Sequence, residues 1–323
     1  MTAPADPRSI AIADLTYELP EDRIAQHPLA ERDQAKLLVH HEGRNEDRRF
    51  TDLPAVLPEN ALLVLNDTRV VHARITFQRA TGAVIECMVL TPEEGRAIET
   101  ALLDRPVTRW WCMLGKAKRW TGEELLLEKE GHQLSAVRID QQDGEHLIEF
   151  RWGGEETFIQ QLDRFGAVPL PPYMRRAAEA DDDTRYNTIF GERPGSVAAP
   201  TASLHFTPAV MQALAAKGIG TARVTLHVGA GTFLPVKSET MQGHDMHSEQ
   251  VRIPRAAIRL LRERIGKGPI IPVGTTALRT IESLYWFGAD IANGADPQAL
   301  QVQQWRPYAD APDVAPDAAL AAV

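Results

Sequence analysis

Three of the ten histidines in this chain fall within one short stretch: His227, His244 and His247, with Glu249 two positions further on. An imidazole titrates near neutrality, so such a cluster can take up and return a proton during a reaction. Immediately after His227 comes Gly229-Ala230-Gly231-Thr232, where small residues let a ligand approach the backbone closely. The His244-x-x-His247-x-Glu249 spacing is not the helical His-Glu-x-x-His arrangement of zinc enzymes, so acid–base work is expected here and no metal. The Gly-Ala-Gly loop also invites a nucleotide or methyltransferase reading. Its continuation, Thr232-Phe233-Leu234-Pro235, does not open a helix, so that fingerprint would lack its anion-binding helix terminus. Asp67, Arg69 and Arg279 either contribute to ligand binding or form a buried ion-pair network at the strand ends.

These residues need elements to position them. Val224, Leu226 and Val228 alternate with Arg223, Thr225 and His227, which predicts a half-buried strand leading into the 229–232 loop. Ala61 to Leu65 is a continuous apolar run, the profile of a buried central strand, and it ends at Asn66-Asp67-Thr68-Arg69. Ser196 to Ala199 reads as a short strand, followed by a loop containing His205. A helix then starts at Thr207 and Pro208 and stops at Gly218. With the His227 strand this makes a βαβ unit, expected to be parallel. A helix over 254–265 leads to a strand over 269–273, a turn at Gly274-Thr275-Thr276, and a helix bearing Arg279 and Glu282. Strands of a parallel sheet share one carboxyl edge, so the 66–69, 200–205, 229–232 and 274–276 segments are expected to converge there on one site. Glu31-Arg32-Asp33 reads as a solvated connector, and the polar run 177–183 as a mobile loop.

Between residues 75 and 152 the texture changes to short alternating runs separated by turn signals such as Thr81-Gly82 and Asp143-Gly144, which predicts a small antiparallel barrel. The chain is therefore read as α/β, with a mixed or parallel-sheet catalytic domain over 1–74 and 153–323, interrupted by an inserted β-barrel domain over 75–152. Within the insertion, Arg105, Arg109, Lys116, Lys118 and Arg119 are interleaved with Trp110, Trp111 and Trp120. That composition either grips phosphates and stacks on bases, or is a core with a charged hairpin turn.

Composition bounds the rest. A formal net charge of −9 argues against broad, non-specific nucleic-acid binding but leaves room for a local basic patch. No apolar run approaches the roughly 20 residues of a membrane span. The N-terminus lacks the basic and apolar regions of a signal peptide, and two cysteines make no disulfide or zinc framework. A cytoplasmic monomer is expected.

Taken in order, LVLNDTRV, PLPPY, SVAAPTASLHF, VTLHVGAGTFLPVK, HDMHSE and GTTALRTIES resemble the S-adenosylmethionine:tRNA ribosyltransferase-isomerase family of queuosine biosynthesis. YELPEDRIAQHPLAERDQAKLLV and LGKAKRWTGEELLL match it too, so the resemblance runs from about Asp14 to Glu282. It implies transfer and isomerisation of the ribosyl group of S-adenosylmethionine onto 7-aminomethyl-7-deazaguanine at the tRNA wobble position, giving epoxyqueuosine, adenine and methionine. S-adenosylmethionine would be a co-substrate, with no permanently bound cofactor. On this reading His247 or His244 is the base at C5′, oriented by Glu249, and His227 or His205 is the acid that helps adenine leave. Asp67, Gly229, Gly231, Thr232, Thr275 and Thr276 would hold S-adenosylmethionine. Arg69 or Arg279 would hold its carboxylate or a tRNA phosphate, and Arg109, Lys116, Lys118 and Arg119 would contact tRNA. Ser203 stands where the family usually has glycine. The family's C-terminal Tyr-Pro-Gly-Tyr-like and Thr-Asn-Phe-His-Leu-Pro-like stretches are missing. Instead a short helix starts at Pro316, so a chain truncated at its C-terminus is expected. The rival readings are an S-adenosylmethionine-dependent methyltransferase and a non-catalytic tRNA-binding protein.

Overall fold

The strand Leu62–Asn66 is buried along its whole length because both of its faces are covered. Leu62 and Val64 face one way, into a core made with Val224 of the neighbouring strand, with Ile258 and Leu261, and with Ala277 and Leu284. Leu63 and Leu65 face the other way, against Phe50, Phe206, Val210 and Leu214. A computed structural model describes residues 6–233, 235–298, 301–309 and 314–323 of the chain. In it Leu62–Asn66 lies between Gly220–Leu226 and Ile270–Pro272, parallel to both, with Val251–Arg252 added antiparallel at the Gly220–Leu226 edge. Helices Arg255–Arg264 and Gly274–Ala292 cover one face and helix Pro208–Ala216 the other. That layering explains why the central strand reads as an unbroken apolar run.

The same chain segment serves a second pairing. After Asp67 the strand resumes as Thr68–Val70 and pairs in parallel with Arg193–Ser196. The strand expected over 196–199 thus lies earlier, and it belongs to this two-stranded sheet rather than to the sheet of Gly220–Leu226. The helix that follows starts as expected: the Thr207 hydroxyl accepts a hydrogen bond from Val210 N at 3.3 Å, with Pro208 in the first turn. The His227 strand differs from its alternation pattern. It ends at Leu226, and Thr225 and His227 are buried as well as their apolar neighbours, because polar partners from Asp67 and Thr68 meet them. Gly274-Thr275-Thr276 is the first turn of the long helix rather than a loop before it.

The other large element is a seven-stranded antiparallel sheet in the order Gly166–Ala167, Arg74–Gln78, Val84–Pro92, Val107–Gly115, Glu145–Trp152, His132–Gln142, Leu125–Lys129. It curls into a half-barrel, so that Arg74–Gln78 comes near Leu125–Lys129 without pairing to it. Helix Phe158–Phe165 closes the hollow. Phe158 sits 5.4 Å from Trp110, 5.2 Å from Phe150 and 5.8 Å from Trp152, ring centre to ring centre. The last strand, Gly166–Ala167, joins from beyond residue 152. A Cβ on Gly166 would lie 1.9 Å from the His72 carbonyl oxygen, so only glycine fits this crossing. The chain is therefore a mixed α/β protein combining a parallel-centred sheet with a curled antiparallel one.

The segment expected to be a solvated connector and the one expected to be a mobile loop are both tied down. Arg32 donates to the Asn187 carbonyl at 3.0 Å, and Asp33 accepts from the Thr207 hydroxyl at 2.8 Å. In the 177–183 run, Asp182 is buried and held by Arg176 at 2.6 Å and by the Glu179 amide at 2.8 Å. Lys36–His41 and Arg44–Arg49 form an antiparallel hairpin. Among the described residues no helix is long and apolar enough to cross a membrane.

Candidate active site

Glu249 organises one cluster. Its side chain is only 5% exposed, and both oxygens are occupied. Oε1 accepts from the Gly229 amide at 3.0 Å and lies 3.1 Å from His247 Nε2, while Oε2 accepts from Arg279 Nη1 at 2.8 Å. A second Arg279 nitrogen donates to the His247 carbonyl at 2.8 Å. If Nε2 carries the ring proton, donating it to Glu249, Nδ1 is left with a free lone pair. That nitrogen lies over Gly231, where an added Cβ would come within 2.2 Å of it. The glycine loop is thus a shelf for an imidazole, and Glu249 with Arg279 fixes the ring from behind. The arrangement suits a general base whose tautomer is set by a carboxylate.

His227 occupies a second polar cluster at the break in the central strand. Its Nδ1 lies 2.9 Å from Thr68 Oγ1, which lies 2.7 Å from Ser196 Oγ. Ser196 Oγ in turn accepts from the Val228 amide at 2.8 Å. Nε2 faces Glu99 Oε1 at 3.7 Å, and that oxygen is buried without a hydrogen-bond partner among the described residues. Burial lowers the His227 pKa, and Glu99 opposes the shift. Glu99 comes from the short helix Ile98–Ala101, between strands of the curled sheet, and its other oxygen holds Arg252 at 2.8 Å. Nothing in the local sequence pairs Glu99 with a histidine 128 positions later.

Besides a cavity of about 630 Å³ lined by His247, Arg279 and Trp286, two others adjoin the glycine loop and His227. One of about 600 Å³ is lined by Pro172, Tyr173, Tyr186, Phe233, Thr232 and the first turn of the long helix, Gly274 to Thr276. Its walls are mostly apolar, with polar groups gathered at the helix N-terminus. Burial pushes the Tyr186 pKa up, so the phenol stays neutral. The other, of about 990 Å³, lies between the curled sheet and the parallel one, with His227, Gly229, Glu249 and Arg279 along one side. Val228 lines both cavities.

The convergence expected at the sheet edge is partly realised. The 229–232 and 274–276 segments and residues 200–202 meet at the smaller cavity. His205 does not join them. Its Nδ1 lies 3.3 Å from the Arg32 carbonyl, and its ring packs 5.4 Å from Phe50. His244 lines neither cavity; its carbonyl accepts from Gln304 at 2.8 Å. Asp67 is turned into the sheet and accepts from the Thr225 hydroxyl at 2.6 Å, so it faces neither cavity. Arg69 is exposed, because the alternation of Thr68–Val70 buries its two neighbours instead. Arg279 gives one N–H to Glu249 and one to the His247 carbonyl, and its partly exposed guanidinium keeps further donors toward the cavity it lines. No buried network links Asp67, Arg69 and Arg279. Arg109 is likewise engaged, by Glu149 at 2.7 Å and Glu93 at 3.5 Å. Trp110 and Trp120 are core residues, whereas Lys116, Lys118 and Arg119 are exposed at the turn after Val107–Gly115. Among the described residues no group of three or more His, Cys, Asp or Glu could hold a metal ion.

A family model described as "Queuosine biosynthesis protein" matches residues 12–303. The S-adenosylmethionine:tRNA ribosyltransferase-isomerase of Anaeromyxobacter sp. (strain Fw109-5) is 42% identical over 295 residues, covering 90% of this chain and 81% of that protein. The enzyme of the same name from Azoarcus sp. (strain BH72) is 41% identical over 280 residues, 85% of this chain and 75% of that one. A crystal structure of an S-adenosylmethionine tRNA ribosyltransferase from Thermotoga maritima aligns over 83% of this chain and 71% of its own, with 28% identity and a TM-score of 0.35. The chain belongs to the queuosine-biosynthesis family of S-adenosylmethionine:tRNA ribosyltransferase-isomerases.

Proposed function

We infer that this chain transfers and isomerises the ribosyl group of S-adenosylmethionine onto 7-aminomethyl-7-deazaguanine at the wobble position of tRNA, releasing adenine and methionine. Beyond family membership, one observation carries the reading: the His247 imidazole, fixed by Glu249 and Arg279, stands at the Gly231–Thr232 shelf, and Thr232 lines a ligand-sized cavity. Methyl transfer needs no base at C5′. Ribosyl transfer does, because the sulfonium acidifies the C5′ protons and one must leave as an ylide forms. On this reading His247 Nδ1 takes that proton, and Glu249 balances the imidazolium. S-adenosylmethionine occupies the smaller cavity, with Thr232, Thr275 and Thr276 as its polar contacts. His227 is the acid for adenine: it lines the larger cavity next to Val228, which borders both, whereas His205 lines neither. Lys116, Lys118 and Arg119 supply phosphate contacts for tRNA.

The proposal extends to the architecture. The curled sheet is an inserted β-barrel domain over 75–152, carried by an α/β domain over 1–74 and 153–323, and its core takes in Phe158, Leu162, Val197 and Ala230 of the latter. It also includes a monomeric, cytoplasmic protein that holds no cofactor between turnovers. The two free cysteines, Cys87 and Cys112, fit a reducing compartment.

The test is incubation with S-adenosylmethionine and tRNA bearing the aminomethyl base. Free adenine and methionine should appear in equal amounts with an epoxy-cyclopentanediol nucleoside. S-adenosylhomocysteine in their place would overturn the reading in favour of methyl transfer.

A further inference from the structure

A transfer between two substrates requires both to be held within reach of each other. The two cavities that share Val228 provide such an arrangement, and the larger one has no occupant in the reading above. Its wall on the curled-sheet side carries Trp111. Adjacent strand residues point to opposite faces. Trp110 is therefore buried against Phe158, while Trp111 is half-buried and turned to the cavity. Ser248, Gln298 and Gln301 stand among the lining residues, with Gln301 Nε2 donating to Ser248 Oγ at 3.1 Å. A flat aromatic face together with uncharged hydrogen-bonding side chains is the chemistry that receives a nucleobase, by stacking on its ring and bonding to its edge. Beyond the end of the same strand, the turn carrying Lys116, Lys118 and Arg119 begins about 17 Å from Trp111 at 3.4 Å per residue, a distance that spans several nucleotides.

We propose that Trp111 is the stacking platform for the aminomethyl-deazaguanine base, extruded from its single-stranded loop into this cavity. The aminomethyl arm then points to the Val228–Gly229 strand end, where the two cavities meet. Trp111 becomes a specificity-determining residue contributed by the curled sheet, and the proposal rests on the ribosyl-transfer reading above.

The test uses an anticodon stem-loop RNA carrying the aminomethyl base and the same RNA abasic at that position. Their dissociation constants are measured with the full chain, Trp111→Phe and Trp111→Leu. The parent should prefer the base-bearing RNA by roughly 5- to 150-fold, the range that one stacked base supplies. Trp111→Phe should keep most of that ratio, and Trp111→Leu should reduce it to below about threefold while binding the abasic RNA as the parent does. Should the leucine variant melt early, Trp111→Phe decides, because quenching of tryptophan emission by the base-bearing RNA should be present in the parent and much reduced in it. A leucine variant that retains the parental ratio, a parent that binds both RNAs equally, or quenching undiminished in Trp111→Phe would overturn the proposal. Failure of the underlying reading looks different, as a parent that releases no adenine from S-adenosylmethionine with any tRNA.

Discussion

Glu249 carries a negative charge into a nearly closed site and gives up all of it to neighbours: an amide, a guanidinium and an imidazole. In the proposed reaction its effect is therefore exerted through His247, whose ring it orients, and the ring also depends on the absence of a side chain at Gly231. Gly231→Ala would place a methyl 2.2 Å from Nδ1 and displace the imidazole. Adenine release should fall about 100-fold, the scale of a misplaced catalytic group, with little change in melting temperature. His247→Ala should lose between about 100- and 10,000-fold. The double variant should be no slower than His247→Ala alone, because both changes remove one function. The His247–Glu249 pair was legible in the sequence because its members are two residues apart. Arg279 at the same carboxylate was not legible, since a helix 30 residues away must first be docked. Arg69 was legible in a sense not used: buried Thr68 and Val70 on either side of it require an outward side chain.

At the scale of elements, the segments that announce themselves are those whose local chemistry and tertiary role agree. Helix Pro208–Ala216 is one, with its threonine cap, first-turn proline and terminal Gly218. Thr207 also donates to Asp33, so Thr207→Ala removes a cap and a long-range tie together. A loss of about 1–2 kcal/mol is expected in urea unfolding. The central strand was equally plain as an apolar run, but its break at Asp67 was not, because nothing local says that Thr225 will supply the partner. Burial, the largest influence on Asp67, raises its pKa above 3.8, with the Thr225 hydroxyl opposing. A carboxyl raised in the folded state contributes stability below its unfolded pKa and loses it as pH rises through the folded value. At neutral pH the charge therefore costs stability. Asp67→Asn keeps an acceptor for Thr225 and should melt above the parent at pH 7, and the gap should close below about pH 4. The strands of the curled sheet were legible from alternation, whereas its seventh strand is two residues long and too short to leave a pattern.

For the whole molecule, what matters is how the curled sheet is joined to the parallel one. The chain passes from Thr68–Val70 through His72 into Arg74–Gln78 and returns at Gly166–Ala167, so both crossings lie side by side. Gly166→Ala would set a methyl against the His72 carbonyl oxygen and force the return crossing away. A destabilisation of about 1–3 kcal/mol is expected, as for other overpacked sites. Faster amide exchange over residues 72–78 should accompany it, and unchanged exchange there would show that the crossing can yield without cost. The sequence announced a change of texture near residue 75, but not that its far boundary would reach past 152 to recruit a strand.

The segment Leu62–Val70 gives its hydrogen bonds first to the four-stranded sheet and then, past Asp67, to Arg193–Ser196. A segment bonded into two sheets cannot come loose from one without disturbing the other. Its amides should exchange together, at the rate of the slowest group in the protein, with no step at Asp67. Thr68, which holds His227, then lies inside the last part of the molecule to unfold. His227 would remain in place through every partial opening, and substrates would enter by movement of the loops around a frame that does not breathe.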